Sequence, residues 1–144
     1  MNFNNELLKN LLSVYSPSGN ENNIREFIKS EIQDYVDEIE VDSLGNLIAR
    51  KKGNGKKVMI AAHMDQIGLM VTNIDDNGFL RFTNVGGISP FVSLSQKVIF
   101  ENGVVGIIGS EPMEDMGKLK LENMYIDIGV FSKEEAEAKI NIGD

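Results

Sequence analysis

The 144-residue chain contains no cysteine, three prolines and a single histidine. Without thiols it can form no disulfide, no thiolate nucleophile and no structural zinc site built on sulfur. Cationic side chains are also scarce: 14 Lys plus Arg face 22 Asp plus Glu, a net charge of −8. Phosphate-rich nucleic acids and anionic membranes would therefore meet net repulsion. No apolar stretch approaches the roughly 20 residues of a membrane helix. The first twelve residues lack the basic start, apolar run and small-residue cleavage site of a signal peptide. The chain reads as a soluble, cytoplasmic protein with no nucleic-acid and no membrane partner.

What is present is globular in character, since 42% hydrophobic and 25% charged residues exclude a disordered or fibrous chain. Phe3, Leu7, Leu8, Leu11, Leu12 and Tyr15 recur at helical spacing and predict a first helix ending at Ser16-Pro17-Ser18-Gly19. Ser18 and Glu21 have capping-box spacing, and Ile24, Phe27, Ile28 and Ile32 mark a second helix running to about Tyr35. The periodicity then changes to that of strands: Ile39 and Val41 lead out, Leu44-Gly45-Asn46 turns, and Leu47 to Arg50 returns. After a Gly53-Asn54-Gly55 turn, Val58-Met59-Ile60-Ala61-Ala62 forms an unbroken apolar run, which predicts a strand buried on both faces of an α/β sheet.

Beyond Gly68 the texture is β and turn. Leu69–Ile74 and Phe79–Phe82 flank Asp76-Asn77-Gly78, and Lys97–Phe100 and Val104–Ile108 flank Asn102-Gly103, which predicts two hairpins separated by Gly86-Gly87. Met124 to Val130 predicts a further strand. Ser132 with Glu135 predicts a capped helix over Lys133–Lys139. The fold class is α/β: residues 1–66 read as the start of an α/β domain and residues 67–144 as a small all-β module. A doubly buried strand needs neighbours on each side, and the first part scarcely supplies them, so its partners are expected further along a longer chain or in another subunit.

His63 follows the apolar run, and Asp65 follows two residues later. Open α/β sheets place their sites outside the carboxyl ends of strands. A carboxylate at this spacing can hold one ring nitrogen and fix the tautomer so that the other binds a metal. One His and no Cys cannot build a three-His or His-Cys zinc site, so a complete centre needs carboxylates or residues outside this chain. Gly103-Val104-Val105-Gly106 lacks the Gly-Lys-Ser/Thr ending of a phosphate loop and reads as β structure. Asp75-Asp76 and Glu134-Glu135 read as a turn and a helix start. Met59, Met64 and Met70 read as packing residues.

Ala61-Ala62-His63-Met64-Asp65-Gln66-Ile67-Gly68-Leu69-Met70-Val71 resembles the signature of the glutamyl aminopeptidase family of metallopeptidases, family forty-two, which includes the tetrahedral and deblocking aminopeptidases. Ser16-Pro17-Ser18-Gly19-Asn20-Glu21, Asp42-Ser43-Leu44-Gly45-Asn46-Leu47, Asp76-Asn77-Gly78-Phe79-Leu80, Val85-Gly86-Gly87, Gly106-Ile107-Ile108-Gly109 and Tyr125-Ile126-Asp127-Ile128-Gly129 fall in the family's order. Together they span nearly the whole chain. One departure is Gln66, which stands where the signature commonly has Glu.

The resemblance implies an aminopeptidase with two divalent ions, zinc or cobalt, in an α/β catalytic domain interrupted by a barrel-like β domain that makes dimers. By the same resemblance His63 is a metal ligand and Asp65 the catalytic-site carboxylate that orients it. The family's other ligands and its general-base Glu come later in its order and have no counterpart before Asp144. Peptides are the implied substrates and a dimer or larger homo-oligomer the implied assembly, with this chain an N-terminal fragment inactive alone. Two alternatives stand beside this reading: a hydrolase of the endoglucanase label that family members carry, and a non-enzymatic association module.

Overall fold

The computed structural model describes residues 5–144, which form two compact units divided between Gln66 and Ile67. Phe3, the first residue of the predicted apolar stripe, lies outside the described residues. In the first unit, helix α1 spans Asn5–Ser13 and helix α2 Asn22–Ile32, and a 3-10 turn over Gln33–Tyr35 extends α2 to the predicted end. Strands β1 (Glu38–Val41) and β2 (Leu47–Arg50) pair antiparallel, with Glu38 opposite Arg50 and Val41 opposite Leu47. Asp42 organises their turn. Its carboxylate accepts from Leu44 N–H and Asn46 N–H, both at 2.9 Å, and from Asn46 Nδ2 at 2.8 Å.

Three expectations are corrected. Val58–Ala62 is not a buried strand. It pairs with none of the described residues, and Val58, Met59 and Ile60 are 85%, 89% and 93% exposed. A strand exists only through its ladder, and β1 and β2 complete theirs with each other. Ser18 does not cap α2. The N-cap is Glu21, which makes no side-chain cap bond and instead accepts from Gly19 N–H at 2.5 Å, while the Ser18 hydroxyl is engaged elsewhere. Met59, and Met70 of the second unit at 40% exposure, pack into no core.

The second unit is an antiparallel sheet of five strands in the order β3-β4-β7-β6-β5: β3 Gly68–Ile74, β4 Leu80–Val85, β5 Lys97–Ile99, β6 Val105–Ser110 and β7 Met124–Asp127. Both predicted hairpins are present. In the first, the Asp75 carboxylate accepts from Asn77 N–H and Phe79 N–H at 3.0 Å, and Gly78 takes φ +86°, a left-handed conformation that favours glycine. A bulge between Val71 and Asn73 brings both Val71 and Ile74 into the core although they are three residues apart.

Short segments missed by pattern reading lie between the strands: helix α3 (Pro90–Ser93) and 3-10 turns at Met116–Lys118 and Leu121–Asn123. Helix α4 spans Lys133–Glu137, with the Ser132 hydroxyl accepting from Glu135 N–H at 3.2 Å, as the capping pattern predicts. Gly143 and Asp144 return to β3 and exchange two main-chain hydrogen bonds with Val71, each 2.9 Å. Leu80, Met124, Ile126, Ile108, Ala136 and Ile140 are central to a core confined to this unit.

Candidate functional site

His63, Met64 and Asp65 lie in an extended segment without strand pairing, yet the segment is anchored. Gln66 N–H donates to Ser16 O at 2.8 Å, Ser18 N–H donates to Gln66 O at 3.1 Å, and Pro17 and Gln66 form an isolated parallel bridge. Ser16, at the root of this loop, is 1% exposed. The Ser-Pro-Ser-Gly punctuation between α1 and α2 thus holds the His-x-Asp segment by its main chain.

The two predicted residues meet. His63 Nδ1 lies 3.0 Å from the main-chain oxygen of Asp65 and 3.1 Å from its carboxylate Oδ1. Both neighbours only accept hydrogen bonds when the carboxylate is ionised, so in the neutral ring Nδ1 carries the proton and Nε2 the lone pair. The other carboxylate oxygen, Oδ2, accepts from the Ser18 hydroxyl at 2.5 Å. That hydroxyl is the main cause holding the Asp65 carboxyl below the usual carboxylate range, against an opposing cost of desolvation, with the Asp65 main chain and the His63 ring adding to the lowering. The His63 side chain is 86% exposed and that of Asp65 37%.

A groove of about 390 Å³ opens beside the pair, lined by Glu21, Leu44, Asn46, Ala62, His63 and Asp65 among others, all within the first unit. The turn that Asp42 builds supplies one wall. For a cation, the described residues offer one ordered imidazole lone pair. No three His, Asp or Glu side chains converge among them, so this donor fits one ligand position and does not by itself complete a metal centre. Pattern reading missed Ser16, Ser18 and Gln66. The signal for them is Ser16-Pro17-Ser18-Gly19, whose Ser18 also has the local capping spacing to Glu21.

A model of the M42 glutamyl aminopeptidase family matches residues 45–144. The chain belongs to this family. A protein of Acetivibrio thermocellus is 59% identical over 140 residues, covering 96% of this chain and 42% of that protein. A lysyl aminopeptidase of Pyrococcus furiosus is 40% identical over 143 residues, covering 92% and 41%. Among solved structures, the TET1 peptidase of Pyrococcus horikoshii, which can assemble into a tetrahedron or a large octahedral shell, superposes with a TM-score of 0.81 at 37% identity, covering 96% of this chain and 44% of its own. The chain thus spans about two fifths of the length of the curated relatives it matches. The α/β fold of this M42 member agrees with that structure. Among its described residues no helix is long and apolar enough to cross a membrane.

Proposed function

We propose that the whole protein to which these residues belong is a cytoplasmic, metal-dependent aminopeptidase, in which His63 is a ligand to one of two divalent ions and Asp65 orients it. One observation carries this reading: Nδ1–H of His63 is committed to Asp65, leaving the Nε2 lone pair as the ring's donor to a cation. An imidazole with carboxylates suits zinc or cobalt. Such ions, when bound in pairs, supply an activated water and polarise the scissile carbonyl. Asp65 keeps the imidazole in the tautomer that can donate its Nε2 lone pair. The groove of about 390 Å³ beside the pair is the place this reading assigns to the end of a peptide.

In the full-length protein, His63→Ala is expected to lower bound metal and abolish turnover of aminoacyl substrates. Asp65→Asn is expected to weaken metal binding or activity about 10 to 100-fold. Metal content by atomic emission, with turnover on glutamyl, leucyl and lysyl substrates, measures both. Unchanged values in His63→Ala would overturn the reading. Residues 1–144 alone, with one ordered donor, are expected to show no metal-dependent turnover, because a half-built two-metal site loses nearly all the rate.

Self-association belongs to the same proposal and rests on the second unit. Ile99, Val105 and Ile107 are about half exposed on β5 and β6. Ile99 pairs with Val105 across the ladder, and Ile107 lies two residues along β6, so the three share the face turned away from Gly106 and Ile108. An apolar stripe beside an edge strand favours a second copy of the chain. A monomer in light scattering at high concentration would remove this part of the proposal.

A further inference from the structure

The interaction that pattern reading did not foresee is the hydroxyl of Ser18. We infer that Ser18 is a positioning residue for the His63–Asp65 pair: its O–H holds Asp65 Oδ2, so that Oδ1 stays aimed at Nδ1 of His63. What the oriented imidazole serves rests on the proposal that His63 is a metal ligand. The positioning itself does not.

The geometry makes the hydroxyl's choice of acceptor plain. Ser18 has one proton to give and two acceptors in reach, Asp65 Oδ2 at 2.5 Å and Gln66 O at 3.5 Å. Only the first has the distance of a strong, charge-assisted hydrogen bond. Ser18 cannot drift away from it, because its own N–H is tied to Gln66 O and Gln66 N–H to Ser16 O. Two segments far apart in sequence, Ser16–Ser18 and Asp65–Gln66, are thereby stapled at three points, two in the main chain and one between side chains.

The consequence for Asp65 follows from its chemistry. The carboxylate torsion of an Asp is broad and roughly two-fold, so an exposed carboxylate turns readily. Here each oxygen has a different partner, the hydroxyl on Oδ2 and the imidazole on Oδ1. A quarter turn of the carboxylate breaks both, and only its two equivalent settings satisfy them. Without the hydroxyl, a half-exposed Asp65 would compete with water for a His63 ring that is itself 86% exposed. The main-chain oxygen of Asp65, 3.0 Å from Nδ1, would then be the ring's remaining anchor, so loss of Ser18 weakens the orientation without abolishing it. The same hydroxyl is withheld from the start of α2, where Ser18 and Glu21 have the spacing of a capping box that the structure does not form.

Because the chain has a single histidine, its tautomer can be read without assignment ambiguity. Two-bond proton–nitrogen correlations of His63 in the metal-free 144-residue chain, recorded at a pH of about 9 where an imidazole is neutral, are expected to show the Nδ1–H form in excess. Ser18→Ala should shift the population toward Nε2–H, the intrinsically favoured tautomer, by at least twofold, and Ser18→Thr, which keeps the hydroxyl, should restore it. In the full-length protein, Ser18→Ala should weaken cobalt binding by about tenfold, the low end of what loss of a ligand's supporting hydrogen bond causes. An unchanged tautomer ratio in Ser18→Ala would overturn the inference. So would a threonine variant that behaves like alanine, since the effect would then belong to space and not to the hydroxyl. Failure of the metal-ligand proposal is a separate result: His63→Ala would retain its metal while the tautomer shift in Ser18→Ala persisted.

Discussion

Ile67–Asp144 buries twelve apolar side chains in one cluster, whereas among the described residues up to Gln66 only Ile24 is buried among the apolar ones. The second unit is held as small β modules usually are, by removing methyl and methylene groups from water at roughly 25 cal/mol per Å². The first is held by hydrogen bonds and ion pairs: the Ser16–Gln66–Ser18 staple, the Asp42 turn, and Arg50 with Glu40 at 2.7 Å and Lys52 with Glu38 at 2.8 Å across the hairpin. Those ion pairs are about half exposed or more, where each contributes about 0–1 kcal/mol, and an isolated two-stranded hairpin is marginal. The unit that carries the candidate chemistry is therefore the one with the smaller reserve of apolar burial.

The largest effect is expected at the core of the second unit. Leu80 is fully buried, and Leu80→Ala should cost about 2–5 kcal/mol, read as a lower urea midpoint of the far-ultraviolet β signal. A loss below about 1 kcal/mol would mean that this core is loosely packed. Next is Gly106 on β6, where an added Cβ would stand 2.4 Å from Ile126 Cγ2 and 3.3 Å from Asp127 O. Gly106→Ala should destabilise the same transition by about 1–3 kcal/mol through overpacking.

A pH titration sharpens the contrast from the other side. The Asn46 side-chain amide, with the main-chain amides of the turn, lowers the Asp42 carboxyl below its ordinary value. A depressed folded-state value means that Asp42 contributes stability above the unfolded carboxylate pKa of about 4, and that this is lost as pH falls through the lower folded value. Amide signals of Leu44 and Asn46 should move in that acid window in the native chain. In Asp42→Ala they should show no such step, and the resonances of the second unit should match in both. The smallest effect is expected at Ile60. At 93% exposure, Ile60→Lys should change the stability of the 144-residue chain by no more than about 0.5 kcal/mol. A loss of several kcal/mol on thermal melting would show that the apolar run is buried in solution after all.

Much of the second unit was legible because its signals are local. Asp76-Asn77-Gly78 and Asn102-Gly103 are turns that close on themselves, alternation marks β4 and β6, and Ser132 reaches Glu135 N–H three residues on. The bulge in β3 was not legible, since nothing in Val71-Thr72-Asn73 announces an extra residue. In the first unit the reading was right where it was local, at α2 and the β1–β2 turn. It failed at Val58–Ala62, where an apolar run describes a preference for burial and not the presence of anything to bury it.

The site divides in the same way. The spacing His63-Met64-Asp65 puts the ring within reach of both the Asp65 side chain and its main-chain oxygen, a local proximity that the sequence alone determines. Composition alone excluded thiolate-ligated metals and disulfides within these 144 residues. The partner of Ser18 was decided only by the tertiary structure. Locally that hydroxyl had a helix to cap, and the spacing to Glu21 invited it. The pairing of Ser16 and Ser18 with Gln66 carried an ionised carboxylate to 2.5 Å, and a hydroxyl with one proton gives it to the charged acceptor that long-range contacts bring nearest.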